Sequence, residues 1–405
     1  MVGVGQGVVD VEHGQRPSVA DLAHAASVSA GNGPGPAARE CPPPRGVEEG
    51  VFREISVLDR SRTREGHPAA GALRDTVELA RAADRLGYRR FWVSEHHSVP
   101  GVAGSAPTVL AAAVAGATGR IRVGTGGVML PNHQPLVVAE QFGVLEALFP
   151  GRIDMGLGRS VGFTGGIRRA LGRDTADADA FEEQLAELLG WIDGTQRAHP
   201  EVHARPAEGL RIPAFVLATG EGAGIAARAG LPLVVGDLRA RDRVVEIIEG
   251  YRAAFRPSAR GAEPYVVVSG TVAVAATAEE ARRILVPEAW ALAYSRTRGS
   301  FPPLRPAGEV EALAMTAKER ELYEGALAGH VFGTEEQVAA ELERVRAATG
   351  ADELLVTTST YDRTALLDSF GRLARLAGLA RTTAPATASA TPPAGPLAAA
   401  PRPAP

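Results

Sequence analysis

From about residue 51 to residue 381, short β-branched runs alternate with helical patterns, and this rhythm constrains the fold more than any other feature of the chain. Parallel strands need a crossover of a dozen or more residues, and a helix ordinarily fills it. Strands are expected at residues 55–59, 91–95, 121–128, 153–158, 215–218, 233–235, 265–275 and 354–358. Helices are expected at 72–86, 107–117, 135–148, 177–189, 223–229, 335–348 and 364–376. Gly87 reads as the C-cap of the first helix, and Pro107 opens the second. Eight strands in one series predict a closed (β/α)8 barrel of the TIM class rather than an open doubly wound sheet, and 405 residues suffice for it. Two stretches break the rhythm, 191–212 after strand four and 287–330 after strand seven. Insertions of this kind usually build a pocket or its lid.

Residues 1–50 are rich in Gly, Pro and Ala, and 382–405 are almost entirely Ala, Pro and Thr. Neither holds the apolar content to offset ordering entropy, so both are expected to be disordered tails around a barrel domain at 51–381. Val51, just before the first strand, is a candidate alternative start. The first thirty residues lack a basic start followed by an unbroken apolar core, so they do not read as a secretory signal. With no run long and apolar enough to span a membrane, a cytoplasmic protein is expected. A formal charge of -4 and no dense run of Arg leave no electrostatic footprint for nucleic acid or an acidic membrane, which favours small-molecule partners. Cys41 is the only cysteine, which excludes intramolecular disulfides and Cys-built zinc or iron–sulfur sites. Lys318, the only lysine, lies in a polar helical stretch and gives little support to Schiff-base chemistry.

Chemistry-bearing residues collect where strands end. Glu95-His96-His97 follows the apolar run Phe91-Trp92-Val93-Ser94, at the end of a barrel strand where such folds keep their active sites. Neighbouring side chains on a strand point to opposite faces, so one of the two imidazoles is expected to be structural. Thr125-Gly126-Gly127-Val128 ends the third strand with paired glycines, which mark a packing bulge or the close approach of a ligand. His133 beyond it reads equally well as an ordinary loop histidine. Gly156-Leu157-Gly158-Arg159-Ser160 ends the fourth strand with a guanidinium suited to a phosphate or to a surface salt bridge, and only weakly mimics a dinucleotide fingerprint. Thr219-Gly220-Glu221-Gly222 leads into a helix whose N-terminus favours an anion, although Thr219 or Gly220 could simply cap it, and Glu221 would oppose an anion on the same side. A metal site lacks a third spaced ligand beside the His pair, and a Ser-His-Asp hydrolase lacks its Gly-x-Ser-x-Gly elbow.

Taken in order, Ser56-Val57-Leu58-Asp59, the stretch Gly87 to His97, the stretch Ile121 to His133, Pro150 to Arg159 and Gly230-Leu231-Pro232 resemble the luciferase-like flavin monooxygenases, the bacterial luciferase superfamily. The likeness covers about residues 55–380, and it is the ordered set that makes it specific. It implies a (β/α)8 barrel with a reduced flavin across its mouth. The family's flavin-facing histidine, which acts in proton transfer or supports the peroxyflavin, falls on His96, with His97 and Glu95 as positioning residues. Phosphate binding falls on Arg159 with Ser160 beside it and on the turn holding Thr219, Gly220 and Gly222. The bulge under the flavin ring, often a non-prolyl cis peptide, falls on Gly126-Gly127. Gly158 stands where bacterial luciferase carries a reactive cysteine, and a second phosphate-binding arginine of some members falls near Ala178 and Asp179. The resemblance thus implies oxygenation of a small organic substrate by reduced FMN, supplied by a separate flavin reductase, with a histidine pKa near neutrality. A deazaflavin-dependent hydride transfer and a non-catalytic flavin-binding protein are the alternatives, and pairing as a homodimer is expected.

Overall fold

The computed structural model describes residues 51–379, Arg53 excepted, so both tails and Cys41 lie outside the described residues. In chain order the elements are β1 (Glu54–Asp59), α1 (Ala69–Leu86), β2 (Arg90–Val93), α2 (Pro107–Ala117), β3 (Arg122–Thr125), β4 (Val128–Met129), α3 (Pro135–Leu148) and β5 (Ile153–Gly158). There follow α4 (Gly165–Ala170), α5 (Phe181–Asp193), β6 (Ala214–Leu217), α6 (Gly222–Ala229), β7 (Leu233–Val235), α7 (Arg241–Ala254), β8 (Val266–Gly270) and β9 (Val272–Val274). The series ends with α8 (Ala278–Arg298), α9 (Ala307–Glu311), α10 (Ala317–Leu327), β10 (Val331–Gly333), α11 (Glu335–Thr349), β11 (Glu353–Val356) and α12 (Arg363–Leu376). The parallel sheet runs β3-β2-β1-β11-β8-β7-β6-β5-β4 and closes through β3–β5 pairing, with Val123 opposite Ile153. Eight staves therefore make a closed barrel.

Strand alternation sorts the core into two shells. Phe91 and Val93 of β2 face outward with Ile55, Val57 and Val123 onto the helices. Trp92 faces inward with Leu58, Phe215, Val234, Val267 and Leu355. Below that inner layer lies a polar one. Arg90 Nε donates to both carboxylate oxygens of Glu353 at 3.0 Å, and its Nη1 donates to Asp154 at 2.8 Å. Trp92 Nε1 (3.2 Å) and Arg122 Nη2 (2.7 Å) also donate to Asp154, while Tyr265 and Ser56 donate to Glu353. Burial alone would push the Arg90 guanidinium down, but the two carboxylates outweigh it and hold the charge.

Several expectations need correction. The third strand is two pieces, β3 and β4, parted by the cis peptide Gly126-Gly127. The seventh is also two, because β9 leaves the barrel to pair with β10, Val272 opposite Val331. Pro287 does not begin an irregular stretch; it sits buried inside α8. Helices α4, α7, α8 and α9 were not anticipated, the polar helical stretch around Lys318 is α10, and the helix expected at 177–189 begins as a 3-10 turn, Thr175–Ala180, before α5. The stretch 191–212 cannot line a pocket at the mouth, because it runs from the end of α5 to the start of β6 on the opposite, N-terminal face of the barrel. There Ala207 packs so closely on α3 that a Cβ at Gly143 would stand 2.6 Å from its backbone nitrogen.

Candidate active site

Three non-glycine residues of the described chain take left-handed backbone angles: Ser61 (φ 51), Ser98 (φ 54) and Asp237 (φ 70). All three lie in loops that follow the C-terminal ends of barrel strands, β1, β2 and β7. Such costly conformations persist where surrounding structure enforces them and concentrate at functional sites. The strain and the chemistry are at the same end of the barrel.

Beyond β2, the period of two carries on past the last strand residue. His96 keeps the inward parity of Trp92, while Glu95 and His97 keep the outward parity of Val93, so the two imidazoles part company. Ser94 Oγ and His96 Nδ1 share a hydrogen bond of 3.1 Å, and the His96 backbone N–H donates to Gly104 at 2.9 Å. The His96 imidazole is pushed down to about 4, chiefly by burial and then by the charges of Arg60 and Arg62. This corrects the expectation of a value near neutrality: at pH 7 the ring is neutral.

Glu95, only 3% exposed, ties the outward side together. Its carboxylate accepts from His97 Nε2 at 2.7 Å, His133 Nε2 at 2.9 Å, Asn132 Nδ2 at 3.3 Å and the Met129 backbone N–H at 2.9 Å. Burial would raise this carboxyl, but the donors, His133 foremost, hold it below its usual range. The absence of a third ligand beside the His pair is also corrected, since ligand-type atoms of Glu95, His97 and His133 lie within 4.8 Å of one another and could hold a metal ion. As they stand, the same groups are satisfied as hydrogen bonds. His133 is thus a loop histidine held by hydrogen bonds to Glu95, a contact that spans 38 residues and that no local pattern announces.

Gly127 has no room for a side chain against the backbone of β5, and one at Gly126 would force the Leu58 side chain to move. A Cβ at Gly126 would stand 2.6 Å from Leu58 Cδ1, and one at Gly127 would stand 2.9 Å from the Gly156 carbonyl oxygen. Packing against backbone therefore accounts for glycine at 127, and the peptide between the two closes the top of β3 against β5. At the end of β5, Arg159 Nη1 donates to Glu221 at 2.7 Å and Nη2 to Asp179 at 3.5 Å, with Ser160 exposed beside it. The α6 N-cap is Glu221, without a side-chain cap, so neither Thr219 nor Gly220 caps that helix. Thr219 and Gly220 are exposed and Gly220 has open space around it, whereas a Cβ at Gly222 would press on Ala218 at 2.8 Å. Gly156 and Gly158 lie within β5 rather than in a strand-to-helix turn, which removes the dinucleotide reading.

In the closed sheet β2, β3, β5 and β6 are four successive staves, so His96, Gly126-Gly127, Arg159 and the 219–222 turn form one arc of the mouth. The other four staves, β7, β8, β11 and β1, carry a cavity of about 290 Å³ lined by Asp237, Ser269, Thr357 and Arg60 and roofed by Glu288 and Leu292 of α8 and Ala326 of α10. Part of the stretch 287–330 thus does roof the mouth. Arg60 and Arg62 were missed; the signal was three arginines, Arg60, Arg62 and Arg64, alternating directly after a strand's C-terminal end.

A parallel barrel with this arc is an enzyme of the luciferase-like monooxygenase family, to which the chain belongs: the family model matches residues 54–353. Among its relatives, the uncharacterized protein YvbT of Bacillus subtilis is 38% identical over 321 residues, covering 78% of this chain and 94% of that one. The N-acetyl-S-alkylcysteine monooxygenase of the same organism is 34% identical over 315 residues, covering 75% and 92%. The crystal structure of apo-MsnO8 superposes with a TM-score of 0.71 at 31% identity, covering 82% of this chain and 98% of that one.

Proposed function

We propose that the protein is a flavin-dependent monooxygenase that uses reduced FMN and molecular oxygen to oxidise a small organic substrate, the flavin being supplied reduced by a separate reductase. The observation that supports this reading is the arc itself, in which Arg159 with the glycine-rich 219–222 turn and a half-buried, neutral histidine flank the close-packed Gly126-Gly127 peptide. When bound, reduced FMN supplies the electrons that place one oxygen atom of O2 in the substrate and release the other as water.

The chain's own groups divide the remaining work. Arg159, Ser160, the exposed backbone of Thr219 and Gly220 and the buried first helical residue Gly222 are proposed to hold the phosphate; Arg159 is already oriented by Glu221 and exchanges that acid for the ligand. Gly126-Gly127 is the surface on which a planar ring lies. His96, neutral at working pH, takes or returns a proton at its ring nitrogen opposite the Ser94 contact. Glu95 and His97 hold the loop that presents it, through the His133 and Met129 contacts.

Because one relative is named for N-acetyl-S-alkylcysteine, a thioether is the substrate of first choice for a test. Turnover of such a thioether with FMN, a flavin reductase and ¹⁸O2 should place one labelled atom in the product. Turnover without oxygen on reduced deazaflavin would instead assign hydride transfer. We also propose a homodimer through α2 and α3, which expose Val109 (70%), Leu148 (63%), Val144 (48%) and Val137 (46%). A sedimentation mass of one chain would count against it.

A further inference from the structure

The cavity on the β7, β8, β11 and β1 staves holds its charges in pairs. Arg60 Nη2 donates to Glu288 Oε1 at 2.7 Å and to the Thr357 carbonyl at 2.9 Å, while Arg239 donates twice to Asp237, at 2.7 and 3.2 Å. Two cations thus meet two anions in the lining. Arg62 comes within 3.8 Å of Glu288 Oε1 but does not line the cavity. The lining also contains His330, which is held below its ordinary value by burial and then by the Arg239 charge, so it adds no charge at pH 7. The lining is neutral as a whole.

Hydrogen bonding is less complete than charge. Glu288 Oε2 and Arg60 Nε, one on each member of the same ion pair, are both buried without a partner. The first lacks a donor and the second an acceptor, and leaving such groups unanswered is costly. A ligand hydroxyl supplies both kinds of contact without bringing a charge. A carboxylate would suit Arg60 but oppose Glu288, an ammonium would do the reverse, and either would enter a space whose own charges are already matched. Leu238, Leu292, Phe301 and Ala326 make the rest of the wall apolar. At about 290 Å³ the space equals the volume of about ten waters and lies near the lower end of small-molecule sites, about 300 Å³. We propose that this cavity binds an uncharged molecule of about ten non-hydrogen atoms, its hydroxyl on the Arg60–Glu288 pair and its apolar body on Leu238, Leu292 and Phe301, and that it selects against acids and amines of the same shape. This deepens the monooxygenase reading and rests on it for calling the ligand a substrate: Arg60 lines the cavity, and its charge is also felt at His96. A thioether substrate would then be an uncharged one.

The test is calorimetric titration of the full-length protein at pH 7 with 3-phenylpropan-1-ol, 3-phenylpropanoate and 3-phenylpropylamine, beside a separate titration with FMN. Wild type should bind the alcohol about ten-fold more tightly than the acid or the amine. Glu288→Gln leaves Arg60 without its counter-charge, so the acid should gain about ten-fold on the alcohol; Arg239→Gln does the same to Asp237, so there the amine should gain about ten-fold. FMN affinity should stay unchanged in both variants. Equal binding of the three probes, a wild-type preference for either charged one, a ranking that either substitution leaves unchanged, or no binding of the alcohol by a protein that does bind FMN would each overturn the proposal while leaving the flavin reading intact. Failure of wild type to bind FMN would bring down the flavin reading and the ligand's role as substrate, whereas the ranking of the three probes would still decide the cavity's selection by charge.

Discussion

His96 shows how much one side chain's surroundings decide. An exposed histidine titrates near 6.5, but burial and two nearby arginines bring this one to about 4, so the folded protein takes up its proton later than the unfolded chain does. Between about pH 6.5 and 4 the unfolded state therefore binds more protons, and stability falls as the pH falls through that window; above about 6.5 this residue costs nothing. Urea unfolding of wild type and His96→Gln across that range should show the variant losing part of the acid-side decline, and parallel slopes would contradict the assignment. Sequence alone places His96 at a strand end but not its protonation, because Arg60 and Arg62 reach it from the neighbouring stave. The parity argument separating His96 from His97 needs only the local run and was legible; the grip of His133 on Glu95 joins two loops and was not.

At the scale of elements, the strands were easier to read than the helices between them. Buried strands of a parallel barrel are short, nearly continuous apolar runs such as Phe91-Trp92-Val93, and the pattern survives without context. Helix α8 hid behind Pro287, since proline normally ends a helix; here it is buried in the long α8 as that helix packs on α10. The break at Thr271 was hidden for the opposite reason, because β-rich residues continue on both sides of it, whereas the paired glycines announced the one at Gly126-Gly127. The polar layer inside the barrel was also invisible, as it joins β2, β5 and β11 from distant parts of the sequence. Removing one member leaves buried charge uncompensated, so Asp154→Ala should cost about 3–5 kcal/mol in denaturant unfolding, chiefly through Arg90. A loss below about 1 kcal/mol would show that the layer relaxes more freely than its geometry implies.

For the whole molecule, the closed sheet divides the mouth into two halves of four staves, one carrying Arg159, the 219–222 turn and the Gly126-Gly127 peptide, the other a small mixed cavity under α8 and α10. A cofactor on the first half would present its reactive edge to a substrate on the second, with His96 beside the boundary at β1 and β2. Everything proposed here depends on the first half holding a flavin by its phosphate end. The direct measurement is a fluorescence titration of wild type and Arg159→Ala with FMN and with riboflavin. Wild type should bind FMN at least ten-fold more tightly than riboflavin, and Arg159→Ala should lose most of that difference while still binding riboflavin. If wild type binds neither, or if Arg159→Ala keeps the full preference for FMN, the flavin site is not where this arc puts it.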